Sequence, residues 1–258
     1  VKIKTADQFL DNYGIKALLT GVSGVGKTTS IKSLADEGFK PILISAESGL
    51  LSLAGSNNIS IIDISKDEND KPIELKDRAS FLMQKVFPFI KEGKHGFDTV
   101  FLDSITEVSS CVMAHLGAKY TDPKNNLLKY GENSEIMRKI VKEFRDLKYN
   151  VVVVALATVE KDDVGRRFVV PDVVGKISNE LPAMFDEVLN LQIYTDEAGV
   201  SKRRFQCHPS DLILCKDRSG KLDLYENLTL GQIFKKIKGG VKKQQAEKQV
   251  VENGPRNI

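Results

Sequence analysis

Between an apolar run, IKALLT (residues 15–20), and a helically spaced segment, SIKSLADEG (30–38), the chain reads Gly21-Val22-Ser23-Gly24-Val25-Gly26-Lys27-Thr28. Strand, glycine-rich turn and helix in that order leave few folds open, because the helix must pack back onto the sheet that the strand belongs to. The stretch fulfils G-x-x-x-x-G-K-[ST] in full. Its glycines let successive backbone N–H groups converge on phosphate oxygens, and the start of the helix adds its dipole. Lys27 then reaches the β- and γ-phosphates and the Thr28 hydroxyl can ligate Mg²⁺. Gly21 to Thr29, with Thr29 closing the loop, is therefore the expected cradle for ATP.

Apolar runs alternate with amphipathic segments along most of the remaining chain. PILISA (41–46), ISIIDI (59–64), FDTVFLD (97–103) and VVVVALA (151–157) read as strands. Helices are expected near 78–92, on the face made by Ile105, Val108, Val112 and Leu116, and on the stripe Met137, Ile140, Val141, Phe144 and Leu147. Continuous apolar strands separated by such helices imply a doubly wound α/β fold, a mainly parallel sheet with helices on both faces. After Ala183 the pattern changes. FDEVLNLQIYT, SKRRFQCH and DLILCK, joined by DEAG and PS turns, suggest antiparallel strands added at the C-terminal end. Thr229 and Gln232 in TLGQIFKKI fit a capping box that opens a last helix.

Two acids fall where such a sheet binds ligands, at the C-terminal ends of strands. Asp103 ends FDTVFLD, where it can hold Mg²⁺ through water or, alternatively, cap the next helix. Glu47 interrupts ILISAESGLLSL just past its strand. A carboxylate there can orient and deprotonate a water aimed at a γ-phosphate. Spacing alone leaves a solvated rim residue, or a cap for a helix at LLSL, equally open.

The net charge of +3 is unevenly spread: from Lys235 onward seven cations face two carboxylates, a net +5, which leaves about −2 for the rest. The segment 239–258 is polar and basic and is expected to be a disordered tail, with 1–14 an N-terminal segment and 15–238 one core. No run approaches the roughly 20 apolar residues of a membrane span. VKIKTADQFLDNYG has no apolar stretch, so no signal peptide is expected. Three cysteines, Cys111, Cys207 and Cys215, suggest no disulfide framework, and a cytoplasmic location is expected. Cys111 with His115, and Cys207, His208 and Cys215, match no recognised zinc spacing.

Taken with the phosphate loop, ISAE, FLDS and LCKDR resemble the RecA-type ATPase core, in which a glutamate ends the second strand, Asp-Ser closes the Walker B strand and a late strand carries basic fingers. The closest resemblance is to the small RecA-core single-strand annealing ATPases of bacteriophages, the Sak-four group, over about Ile15 to Ile237. The resemblance implies that Glu47 is the catalytic base, that Asp103 is the Walker B acid, and that Lys216 and Arg218 reach a neighbour's γ-phosphate in a filament or ring. From the residues alone, a surface strand with a salt bridge explains Lys216 and Arg218 as well. Relatives carry a polar sensor at the end of the strand matching VVVVALAT. Here Leu156 and Ala157 stand there, and Thr158 is the first polar candidate.

The same resemblance puts DNA contacts after the Walker B helix and after the sensor strand. Residues 117–131 read as a loop offering Lys119, Tyr120, Lys124, Lys129 and Tyr130, and residues 159–177 offer Lys161, Arg166, Arg167 and Phe168 among Asp162 and Asp163. Cations for phosphates and rings for bases suit single-stranded DNA, whereas charged loops by themselves are usually only solvated. The expected partners are single-stranded DNA, further copies of the chain and, through the tail, a single-strand-binding protein, in the host bacterial cytoplasm if the chain is phage-encoded. Two other readings stay open: ATP as an assembly ligand with little hydrolysis, and a P-loop small-molecule kinase with no DNA function.

Overall fold

The computed structural model describes residues 3, 5, 13–47, 49–161, 163–165 and 167–239. Most of the expected N-terminal segment, Arg166, and the basic tail from residue 240 lie outside these. A ten-stranded sheet runs in the order β10-β8-β7-β1-β5-β4-β2-β3, with β6 on β5 and β9 on β7. The strands are β1 (Lys16–Gly21), β2 (Pro41–Ser45), β3 (Ser60–Asp63), β4 (Thr99–Asp103), β5 (Asn150–Lys161), β6 (Arg167–Pro171), β7 (Glu187–Thr195), β8 (Ser201–Gln206), β9 (Lys216–Asp217) and β10 (Tyr225–Glu226). The strands from β3 across to β7 are parallel, and β6, β8, β9 and β10 are antiparallel additions. This is the doubly wound sheet expected from the sequence.

The apolar runs are continuous because both faces of each central strand are covered. Leu18, Ile42, Ile44, Val100, Leu102, Val151 and Val153 point into one core. Ala17, Leu19, Leu43, Phe101, Val152 and Val154 point into the other. The first core is closed by α2 (Leu75–Phe81), α3 (Phe87–Glu92), α4 (Ile105–Lys119), α5 (Asn126–Arg145) and the short α6 (Ile177–Glu180), which supply Ala79, Phe87, Val108, Phe144 and Ile177 among others. Between α2 and α3 the helix widens to a π turn over Leu82–Val86. The second core is closed by α1 (Ser30–Asp36) and by α7 at 230–239, through Ile31, Leu34, Ile233 and Phe234. The α7 cap is reciprocal: Thr229 N donates to Gln232 Oε1 at 3.0 Å and Gln232 N to Thr229 Oγ1 at 3.3 Å.

Four expectations change. Residues 117–131 are mostly helix: Gly117–Lys119 finish α4, Asn126–Gly131 open α5, and only 120–125 connect them. Residues 159–161 and 167–171 pair as antiparallel strands of β5 and β6 in place of a loop, because Val159, Phe168 and Val169 extend the strand pattern. Thr158 accordingly lies within β5, opposite Val170, and does not end it. DLILCK is not one strand; Ile213 makes a single bridge to Val169, and pairing resumes only at Lys216–Asp217, so Arg218 is already past the strand.

Candidate nucleotide site

Register brings the expected site residues to one rim. Gly21 is paired with Leu156 at the C-terminal end of β1, and Asp103 with Ser45 and Val154 at that of β4. The loop and the acid thus come from strands separated by β5, and Thr28 closes the gap: its hydroxyl donates to Asp103 Oδ2 at 2.5 Å. Lys27 is nearly buried, 7% exposed, and its Nζ donates to the carbonyls of Gly21 and Val22, both at 2.8 Å. Gly26 has φ +107, and a Cβ there would come within 3.2 Å of Arg203 Nε, so this turn is reserved for glycine.

Asp103 does not cap α4. Ser104 does, its hydroxyl accepting from Glu107 N at 3.3 Å, and the same hydroxyl donates to Glu47 Oε1. Nor does Glu47 cap the turn at Leu50–Leu53, which starts from Gly49 with no side-chain bond. The backbone fixes Glu47 through Ser45 Oγ, which donates to its carbonyl at 2.6 Å. A carboxylate, a serine and a second carboxylate therefore line the rim beside the phosphate loop.

Burial pushes the Asp103 carboxyl up to about 6, with Glu47 adding to the effect and the Thr28 hydroxyl and Lys27 opposing it. Burial likewise draws Lys27 below its ordinary value, against the pull of Asp103 and Glu47. Two acids against one lysine leave negative charge in excess. That excess, with a hydroxyl and a carboxylate oxygen converging, is what a small hard dication such as Mg²⁺ answers. Thr28 and Asp103 fit as its protein ligands.

The remaining candidates stand apart from this rim. Lys216 pairs with Val188 of β7, which is level with Leu18 of β1, roughly 10 Å along the strands from Gly21. Its Nζ donates to Pro182 O at 3.0 Å, and Arg218 Nη1 to Asp186 Oδ1 at 2.9 Å. Lys119 and Tyr120 both donate to Glu132, Lys119 at 2.7 Å and Tyr120 at 2.5 Å, so this cation is paired within the chain. Lys124, Tyr130, Lys161 and Arg167 are exposed and Lys129 half-buried, with Thr158 between rim and hairpin. Val174, three residues past β6, bonds the two helices on either side of 120–125: its N–H donates to Ser109 Oγ of α4 at 3.2 Å, and Asn133 Nδ2 of α5 donates to its carbonyl at 2.8 Å.

Two contributors do not stand out in the sequence. Ser104 is visible there only as the serine of FLDS, whereas its hydrogen bond to Glu47 depends on the pairing of β2 with β4. Arg203 of β8 donates from Nε to Val25 O at 2.7 Å, 178 residues away in the chain. Its only signal is the arginine pair in SKRRFQCH.

Among the described residues no helix is long and apolar enough to cross a membrane. A search of curated proteins gave no match. A phosphate loop, a hydroxyl-bonded strand-end acid and a rim glutamate on a mainly parallel sheet describe a P-loop ATPase, and the family model of an AAA domain, AAA_24, matches residues 13–219, so that the chain belongs to this family.

Proposed function

We propose that the chain is an ATP-dependent single-stranded DNA-binding protein of the phage annealing or recombinase type, working as a homo-oligomer whose subunits complete one another's sites. In this reading the loop amides and Lys27 hold the β- and γ-phosphates, and Thr28 and Asp103 hold Mg²⁺. When bound, the ion supplies neutralising charge at the phosphate oxygens. Glu47 orients and deprotonates the attacking water, with Ser104 fixing its carboxylate. Lys216 and Arg218 are too far down the sheet to serve their own loop, which leaves a neighbour's γ-phosphate as the one they would reach.

The observation that carries the DNA part is the junction at Val174. Val174, which follows the hairpin strand with Arg167, is bonded both to α5, the helix that carries Tyr130, and to α4, the helix that starts beside Asp103. Basic and aromatic side chains on two joined segments suit a flexible strand of phosphates and bases. ATP turnover measured with and without single-stranded DNA, for the parent, Lys27→Ala and Glu47→Gln, tests this. DNA-stimulated hydrolysis lost in both variants is expected. DNA binding that needs ATP in a parent with no turnover would favour an assembly ligand, and absence of DNA binding in every nucleotide state would refute the proposal.

A further inference from the structure

We infer that the groove between α1 and the β7/β8 pair seats the nucleoside of the bound triphosphate, and that Arg203 stacks on its base. The inference rests on the phosphate-loop reading above. The catalytic and metal-binding acids, Glu47 on β2's end and Asp103 on β4's, both lie to one side of β1 in the sheet order, while β7 and β8 lie to the other. A polyphosphate whose reacting end faces Asp103 and Glu47 therefore has its other end, where the sugar and base are attached, facing β7 and β8.

A groove is waiting on that side. It has a volume of about 360 Å³, within the usual range for small-molecule sites, and is continuous with the loop because Gly26 and Thr29 line both. Leu191, Phe205 and Leu228 supply apolar surface, and Ser33, Asp36 and Asn227 polar edges. An aromatic base with a hydroxyl-bearing sugar has this mixed character.

Arg203 stands where loop and groove meet. It shares a face of β8 with Phe205, two residues on, and its bond to Val25 O tethers the guanidinium over Gly26. A planar guanidinium stacks on aromatic faces. The neighbouring Arg204 uses that chemistry on the other face of β8, with its guanidinium carbon 3.7 Å from the centroid of Tyr225. Arg203 lines the groove with no such ring against it among the described residues, and the base completes the stack.

Calorimetric affinities for ATP and for inorganic tripolyphosphate, both with Mg²⁺, test the inference on the parent, Arg203→Ala, Arg203→Lys and Lys27→Ala. The parent is expected to bind ATP at least about ten-fold tighter than tripolyphosphate, and Arg203→Ala to erase that difference by weakening ATP alone. Arg203→Lys keeps the charge without the plane and should restore little of it. Lys27→Ala should weaken both ligands. Equal affinity of the parent for the two ligands, or equal weakening of both in Arg203→Ala, overturns the nucleoside seat while leaving the phosphate loop intact. Binding of neither ligand overturns both readings.

Discussion

Replacing Glu187 by Gln should flatten the pH dependence of stability. Glu187 opens β7 opposite Asp217, is 2% exposed, and its Oε2 meets no donor among the described residues. Burial first, and then the facing Asp217 carboxylate, push it up from 4.5 to about 8. Asp217 is held low despite its burial, by Ser219, Leu222 and Gly220 N–H or O–H donors and by Glu187 itself. The pair thus shares a proton, which sits on Glu187. An unfolded glutamate ionises near 4.5, whereas the folded one keeps its proton until about 8. Between those values the native state binds more protons, so stability falls as pH rises and levels off beyond the upper one. The ceiling on that fall is about 5 kcal/mol, at 1.36 kcal/mol for each pKa unit. Relaxation around the new charge and sharing of the titration with Asp217 reduce it, so a fall of about 2 kcal/mol or more is expected. Glutamine preserves the shape and an N–H donor toward Asp217, and it does not ionise. Urea unfolding of both proteins from pH 5 to 8.5 gives the difference directly; Asp103 and Lys16 titrate in both and cancel. Two curves that stay parallel within about 0.5 kcal/mol across the window would refute a proton shared by Glu187 and Asp217.

The packing of α7 and the proposed trans site set two further outcomes. A Cβ on Gly231 of α7 would fall 2.0 Å from the Ser33 carbonyl of α1, so Gly231→Ala should cost at least about 2 kcal/mol and lower Tm by roughly 4–8 °C; an unchanged Tm would mean that α7 does not lean on the helix following the phosphate loop. If Arg218 acts on a neighbour's nucleotide, Arg218→Ala and Glu47→Gln should each be inactive alone yet regain part of the turnover when mixed, since one class of interface then carries both native residues; a mixture as inactive as its components would sink the arrangement.

The parallel core and the rim are readable in the sequence because they depend on local periodicity. Alternation of Leu18 and Leu19, or of Val152 and Val153, between two buried faces makes a continuous apolar run, and such runs end at Gly21 and Asp103 on the C-terminal rim of the sheet. Less readable are features that depend on distant partners. The hairpin of 159–171 reads as a loop because its lysines and aspartates mask an extended pairing, and Gly117–Lys119 stay helical because Leu116 and the Glu132 contacts hold the end of α4 in place. Glu47 is separated from a helix cap by the start of the following turn at Gly49 and by its bond from Ser104, neither of which a local pattern announces. Arg203 is hidden for the same reason: its carbonyl partner lies at the far end of the chain.

The insertion of β5 between β1 and β4 has a mechanical meaning. Among the described residues the phosphate loop and the strand-end acid Asp103 share no direct backbone bonds; each is fastened to the same strand, Gly21 beside Leu156 and Asp103 beside Val154. Beyond that point β5 runs on to Lys161 as one arm of the exposed hairpin. A load on the hairpin is therefore transmitted along a single stiff member to both halves of the site together, like a spine gripped by two jaws.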